Sequence, residues 1–296
     1  MERPKKIYKR KFTNWTSRLS ISVQIIIVLI PSLIFLKSGS LLLLGVFLGV
    51  CFSWIFLSLR KLSWASVGVV KPANSGKLII IVIASTVLIL LLSYFLRKFV
   101  TIITNENPNL DAFVSVKGNP KALFLGLLVA WTFGAFGEEL LFRGFLINSL
   151  FKLLPDRHLN NTLKWIIALL TTSIITGVGH TYQGITGIVL TAFIGFCFGL
   201  VYLFSNRNLW ASILTHGFYD SVAFIMLFYG FNLDQIFNWH KNQIKNAPLT
   251  RTVGAISLSR FLLLPLLPRQ FSNKLYRDRA PALIKFCAPG LNSGPY

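Results

Sequence analysis

A succession of long apolar stretches limits what this chain can fold into more than any other feature. Hydrophobic residues make up 54% of its 296 residues, while charged residues make up only 13%. A helix needs about 20 apolar residues to cross the hydrocarbon core of a bilayer, and several stretches reach that length. A helix also satisfies its own backbone hydrogen bonds in lipid. We therefore expect an all-α protein that folds as a polytopic bundle of transmembrane helices.

The apolar stretches predict about eight spans. Their expected bounds are 19–36, 40–59, 78–96, 121–154, 162–179, 185–204, 209–229 and 254–268. The fourth is too long for a simple crossing, so we expect it to tilt, to break near Gly134 or Gly137, or to extend into the cytoplasm. The eighth is short and is interrupted by Pro265 and Pro268, so it either spans the membrane or lies at its surface. The sixth contains three glycines that permit close helix approach, namely Gly187, Gly195 and Gly199.

Basic residues greatly outnumber acidic ones. Thirty lysines and arginines against nine acids give a formal net charge of +21. They cluster near both ends and in short loops between apolar stretches, which is typical of the cytoplasmic side of membrane proteins. The loops at 60–77, 152–164 and near Arg207 then share one side with both termini, so we expect a cytoplasmic N-terminus. This distribution favours anionic lipid headgroups as partners and argues against nucleic acid.

One membrane domain is the simplest organisation. We expect a basic cytoplasmic segment at 1–18, a transmembrane domain at 19–268 with its motifs within 121–230, and a basic, poorly ordered tail at 269–296. The loop 97–120 is expected on the outer side. The segment from Trp64 to Pro72 is a candidate interfacial stretch, because tryptophan favours the headgroup level. The three cysteines lie far apart and predict no disulfide framework.

Two adjacent glutamates, Glu138 and Glu139, lie with Arg143 inside the fourth apolar stretch. An ionisable group in hydrocarbon costs at least a few kcal/mol, so these side chains should face the protein interior and have a function. In a helix, Glu139 and Arg143 share a face, which favours an ion pair. Glu138 is rotated by about 100° and stays free to take up a proton. The alternative is a buried ion-pair cluster that only holds helices together.

The later spans carry further ionisable residues. His180 ends the fifth span, and His216 and Asp220 lie in the seventh. His216 and Asp220 are four residues apart and therefore share one face of a helix. Buried charged groups are expected to find one another, because each alone is costly. We therefore expect these residues to converge on Glu138 around a water-containing cavity within the membrane.

These residue types permit hydrolysis of a peptide bond. A buried carboxylate and a histidine can act as general base and acid on a water. A second histidine and a short polar side chain can donate hydrogen bonds to an oxyanion. Glutamate and histidine are also zinc ligands, so a metal site built from Glu138, His180 and His216 remains an alternative.

Three motifs occur in order on successive predicted spans. They are Glu138-Glu-Leu-Leu-Phe-Arg143-Gly144, then Gly179-His180 followed by Tyr182-Gln-Gly184, then Asn208-Leu-Trp210-Ala-Ser-Ile-Leu-Thr-His216-Gly-Phe-Tyr-Asp220. Their residue types, order and spacing resemble the CAAX protease and bacteriocin-processing family of intramembrane proteases. The resemblance covers about 121–230, with a weaker similarity from Trp64 to Pro72.

The resemblance implies an intramembrane endopeptidase that acts on a peptide or protein substrate at the membrane. It assigns activation of the water to Glu138 with His180. It assigns an ion pair to Glu139 and Arg143. It assigns stabilisation of the oxyanion to His216 and Asp220. The family is described both as metalloproteases and as glutamate-type proteases, so the resemblance leaves zinc open. It also implies the plasma membrane of a prokaryote, and it does not require a prenylated substrate.

Two positions depart from the family pattern. Thr176 stands where the family often has phenylalanine, four residues before His180. Asp220 stands where the family often has asparagine. An ionised Asp220 would repel an oxyanion, so it must be protonated or must serve by orienting His216.

Two other functions use the same residue types. Buried glutamate and histidine also build the proton relays of transporters. Transporters often contain inverted repeats, and none is visible in this sequence. A non-catalytic membrane scaffold or immunity protein is the third alternative, because a fold does not by itself define a function.

Overall fold

The computed structural model describes residues 14–35, 39–157 and 159–231, and in these ranges all regular structure is helical. The long helices are α1 (Arg18–Ile34), α2 (Gly39–Leu59), α3 (Ser75–Thr104), α4 (Pro120–Leu153), α5 (Asn161–Val178), α6 (Gly184–Phe204) and α7 (Leu209–Tyr229). The all-α prediction is confirmed, and each of the first seven predicted spans is a helix. The predicted eighth span and the predicted tail lie outside the described residues.

Helices α3 to α7 are each long and apolar enough to cross a membrane. Helix α1 and the apolar part of α2, Leu43–Leu59, are shorter apolar helices. Large apolar side chains such as Ile80 and Phe99 are exposed on the outside of the bundle. Lipid can cover such side chains, whereas extended apolar surfaces are rare on proteins that live in water. The protein is therefore an integral membrane protein.

Side-chain caps fix where several helices begin. Asn74, Asn119 and Asn160 each accept a hydrogen bond from a backbone amide in the first turn of α3, α4 and α5. Such a cap satisfies one of the amides that have no partner within the helix. Helix α3 ends only at Thr104, so the prediction that a loop begins at residue 97 is wrong. The apolar sequence continues past the basic pair at 97–98, and long basic side chains can extend along a helix toward polar surroundings.

Helix α4 runs through 34 residues without a break, which excludes the break expected near its glycines. Its central turns, Ala130–Glu138 and Leu140–Leu146, are π-helical. Such turns are frequent at functional sites. Gly134 and Gly137 instead leave space for side chains of neighbouring helices. A Cβ atom on Gly134 would lie 3.2 Å from the Asp220 carboxylate.

The predicted interfacial stretch contains a short 3₁₀ turn, Trp64–Val67, that ties the α2–α3 connection to α6 and α7. The Tyr202 hydroxyl donates a hydrogen bond to the Val67 carbonyl at 3.1 Å. The Gly68 carbonyl accepts one from the Leu209 amide at 2.8 Å. Gly68 has a φ of 112° and packs against the Arg207 carbonyl, so a larger residue would neither adopt this backbone nor fit there.

Two glycines of α6 permit the close helix packing that the sequence predicts. A Cβ atom on Gly195 would lie 3.1 Å from the Thr176 side chain, and one on Gly199 would lie 2.2 Å from Leu169. Both neighbours belong to α5. Gly187 differs, because its nearest neighbour is Gln183, the residue just before its own helix. This packing explains why a small residue stands at position 176, since Thr176 lies against the backbone of α6 at Gly195.

Candidate active site

Glu139 is fully buried in α4, and three side chains share its carboxylate. Its Oε1 atom accepts hydrogen bonds from Arg143 Nη1 at 2.8 Å and from His216 Nδ1 at 2.9 Å. Its Oε2 atom accepts one from the Ser212 hydroxyl. The ion pair expected from the spacing of Glu139 and Arg143 is present. Because both oxygens are engaged, this carboxylate is held in place and is poorly suited to exchange a proton.

Arg143 connects this cluster to α6. Its guanidinium is buried and donates a second hydrogen bond to the Gly195 carbonyl. The guanidinium also lies 5.8 Å from the centre of the Phe198 ring. That ring stacks on His216 with 4.4 Å between centroids. Glycine at position 195 lets the helix backbone come close enough to accept the bond.

His216 lies between two carboxylates. Its Nδ1 atom contacts Glu139, and its Nε2 atom lies 3.3 Å from Asp220 Oδ2. A ring that donates to both carboxylates carries a hydrogen on each nitrogen and is positively charged. Asp220 remains partly accessible, with 25% of its side chain exposed. Of the two roles that the sequence leaves open for Asp220, this geometry supports orientation of His216.

His180 lies two residues after the end of α5. Its Nδ1 atom lies 2.9 Å from the Thr176 carbonyl, which can only accept a hydrogen bond. Nδ1 therefore carries the hydrogen, and in the neutral ring Nε2 keeps a free lone pair. The hydroxyl of Thr176 is bound to the Thr172 carbonyl, so it does not compete for the ring. The end of α5 thus presents a histidine whose free nitrogen can accept a proton or a hydrogen bond.

Glu138 and His180 line one cavity of about 30 Å³. A cavity needs about 10–15 Å³ of such space to hold a water molecule, so this one has room for one or two. Apolar side chains from three helices supply much of its remaining wall, among them Leu33, Val46 and Ile175. Among the described residues, none donates a hydrogen bond to the Glu138 carboxylate. That carboxylate is therefore available to a water in the cavity.

The structure brings all six candidate residues together. Glu138 lies within electrostatic range of His180, His216, Asp220 and Arg143. The six residues come from α4, from the segment just after α5, and from α7. The convergence expected from the sequence is thus present in the geometry, while the chemical role of each residue is a separate question.

The arrangement does not fit a catalytic zinc ion. Such an ion takes three protein ligands and one open position. Both ring nitrogens of His216 and both oxygens of Glu139 are already engaged. Glu138, His180 and the second oxygen of Asp220 then remain as unused donors. Within residues 14–35, 39–157 and 159–231, no three histidine, cysteine or carboxylate side chains are grouped as a metal site requires.

Two contributors to this cluster are not among the residues predicted from the sequence. Ser212 is buried on α7 and donates a hydrogen bond to Glu139. It lies four residues before His216, so helical spacing was a usable signal. The other contributor is the Gly195 carbonyl, which any residue type would provide. Only the close approach of α6 to Arg143 identifies it.

The fold and the cluster define a class, namely a polytopic helical membrane protein with a buried polar site beside a water-sized cavity. Residues 120–222 match the Rce1-like family, described as type II CAAX prenyl endopeptidase Rce1-like. The match contains all six candidate residues. It confirms the resemblance carried by the three motifs, and this part of the chain is similar to that family. No curated protein and no solved structure matches the chain at a significant level.

Proposed function

We propose that this protein is an intramembrane endopeptidase that hydrolyses a peptide bond with a water activated by Glu138 and His180. The observation that carries the proposal is the division of labour between two adjacent carboxylates. Glu139 is saturated by its partners, whereas Glu138 shares a water-sized cavity with His180. The match to a family of endopeptidases supports the same reaction class.

Glu138 acts as the general base in this proposal. It takes a proton from the water while the water oxygen bonds to the carbonyl carbon of the substrate. The Nε2 lone pair of His180 accepts the other hydrogen of the same water as a hydrogen bond. Glu138 then returns its proton to the leaving nitrogen as the carbon–nitrogen bond breaks. The products are a carboxylic acid and an amine, and the carboxylate is restored.

His216 supplies positive charge at the oxyanion. Charge develops on the carbonyl oxygen during attack, and a positioned donor stabilises it most where water is excluded. The His216 ring tilts about its Nδ1 hydrogen bond to Glu139, so that its Nε2 hydrogen leaves Asp220 and points to this oxygen. Arg143 balances the charge of Glu139 throughout, so the cluster keeps its geometry during the reaction.

The proposed partners follow from the same features. A cavity of about 30 Å³ holds water but no peptide, so the surrounding helices must separate to admit a substrate. We propose a peptide or protein substrate at the membrane, with anionic lipids as neighbours of the basic loops and no role for nucleic acid. The proposed location is the plasma membrane of a prokaryote, with the N-terminus in the cytoplasm. A prenylated substrate belongs to the description of the family and is a further option for this chain.

The test uses purified protein in detergent with a library of quenched fluorescent peptides. The wild type is compared with Glu138→Ala, and both are assayed with and without a zinc chelator. We expect cleavage by the wild type alone, at a rate that the chelator does not change. If the protein is a transporter or a scaffold, neither the wild type nor Glu138→Ala should cleave any peptide. Cleavage that survives Glu138→Ala contradicts the assignment of the base, and loss of cleavage with the chelator contradicts the metal-free reaction.

A further inference from the structure

Ser32, on α1, lines the cavity that Glu138 and His180 share. Its hydroxyl is buried, and no hydrogen-bond partner for it exists among the described residues. A buried hydroxyl without a partner costs free energy, because water satisfied it in the unfolded chain. The hydroxyl is almost closed to a water-sized molecule in this conformation, so it must turn about its Cα–Cβ bond to face the cavity. A polar partner inside the cavity would then supply the hydrogen bond that it lacks.

Other serines in these helices show what Ser32 lacks. Ser53 donates to the Gly49 carbonyl at 2.8 Å, and Ser221 donates to the Gly217 carbonyl at 2.7 Å. A carbonyl four residues earlier is the usual partner of a serine inside a helix. Ser32 makes no such bond, so its helix leaves the hydroxyl unused.

The backbone of Ser32 is held closely. A Cβ atom on Gly45 of α2 would lie 2.9 Å from the Ser32 Cα atom. The neighbouring Pro31 is buried inside α1. The two helices therefore fix the position of residue 32 against the cavity, while its hydroxyl can still turn about one bond.

We infer that Ser32 holds the water that Glu138 activates and so forms the third polar wall of the active site. A buried water is held by two to four polar partners, and Glu138 and His180 supply two. A serine hydroxyl can donate one hydrogen bond and accept others, so it suits either side of the water. The inference rests on the proposed function. It also extends the site to α1, which the family match at residues 120–222 does not cover.

The first measurement is peptide cleavage by Ser32→Ala, Ser32→Thr and the control Ser53→Ala. Ser53 is also a buried serine of the neighbouring helix, but its hydroxyl is already bonded within α2. We expect Ser32→Ala to lower kcat about five- to tenfold with little change in KM, which is the scale of one hydrogen bond. Its unfolding temperature should stay close to that of the wild type, because the hydroxyl has no bond to another described residue that the substitution would break. Ser32→Thr should recover most of the rate, and Ser53→Ala should keep the wild-type kcat.

The second measurement does not depend on activity. A structure that resolves water should show one water within about 3.2 Å of Ser32 Oγ and of the Glu138 carboxylate in the wild type. The Ser32→Ala protein should lack that water. A wild-type cavity whose water does not contact Ser32 overturns the inference.

The two measurements separate the possible failures. Unchanged kcat in Ser32→Ala, together with loss of activity in Glu138→Gln, overturns the role of Ser32 and leaves the proposed function intact. If the wild type cleaves no peptide, the proposed function fails, and the position of the water alone then decides whether Ser32 holds it.

Discussion

Glu138 and Glu139 are consecutive residues of α4, yet their carboxylates meet opposite surroundings. Glu139 receives three hydrogen bonds, from Arg143, Ser212 and His216. Glu138 lines a cavity and receives no hydrogen bond from the described residues. One carboxylate therefore stabilises the helix packing, and the other is available to a water.

The two glutamates should respond differently to replacement by glutamine. Glu138→Gln should abolish peptide cleavage and leave the unfolding temperature close to that of the wild type. Glu139→Gln should lower the free energy of unfolding by about 3–5 kcal/mol, because it leaves buried cations without their carboxylate. Cleavage and thermal unfolding, measured in the same detergent, test both expectations. Equal residual activity in the two variants, or loss in Glu139→Gln alone, contradicts the assignment.

His216→Ala should lower the cleavage rate by about 10²–10³, the usual effect of removing an oxyanion donor. The protein should still fold, because Glu139 keeps its bonds to Arg143 and Ser212. The measurement is kcat for the fraction that elutes as folded protein in size-exclusion chromatography. A loss smaller than about tenfold in folded protein would show that His216 only orients other groups.

Asp220→Asn should keep the cleavage rate within a few-fold of the wild type. The amide oxygen of asparagine can accept the hydrogen bond from His216 Nε2, which lies 3.3 Å from the present carboxylate. Asp220→Leu is the matched control, because it removes the acceptor while keeping a similar size. We expect the leucine variant to lose most of the activity. If both variants lose activity equally, the negative charge of Asp220 is itself required.

Gly195→Ala should lower the free energy of unfolding by about 1–3 kcal/mol, the usual cost of overpacking a core. The added methyl group would lie 3.1 Å from the Thr176 side chain and 3.4 Å from Arg143 Nη2. Gly76→Ala in α3 is the control, because its methyl group would meet only Asn74, at 3.4 Å. Thermal unfolding of both variants gives the comparison. A destabilisation no larger in Gly195→Ala than in Gly76→Ala would contradict the tight packing of α5 on α6.

Single cysteines at positions 11 and 114 should react with membrane-impermeant reagents from opposite sides of the membrane. Position 114 suits labelling because Val114 is 67% exposed in the α3–α4 connection. The native Cys51, Cys197 and Cys287 are first replaced by serine. Labelling of intact cells before and after permeabilisation distinguishes the two sides. Reaction of both positions from the same side would contradict a cytoplasmic N-terminus combined with three intervening crossings.

The bounds of the helices in this protein follow closely from the bounds of the apolar stretches in its sequence. The expected span at 209–229 coincides with α7, and that at 185–204 begins one residue after α6 does. Apolar stretches set these bounds because a helix in lipid cannot expose polar side chains cheaply. The sequence underestimates the length of α3. The basic residues at 97–98 are typical of a loop, but the helix continues to Thr104.

The site was only partly predictable. Four-residue spacing within one helix identifies the contacts of Glu139 with Arg143 and of His216 with Asp220. Contacts between helices depend on their rotation and separation, which spacing does not specify. The bond from His216 to Glu139 belongs to this second kind. The same limitation applies to the π-helical turns of α4, because their backbone pattern has no composition signature.

The bonds that join α4 to α6 and α7 have a consequence for biosynthesis. The ribosome makes α4 before α6 and α7. Helix α4 therefore enters the bilayer with two carboxylates and Arg143 before the partners of Glu139 and Arg143 on α6 and α7 have been synthesised. A charged residue at the centre of an inserting helix costs about 2.5–3.5 kcal/mol. We therefore expect α4 to reach a stable position in the bilayer only after α6 and α7 have been translated. A nascent chain arrested before Leu209 should hold α4 at the translocon rather than release it into lipid.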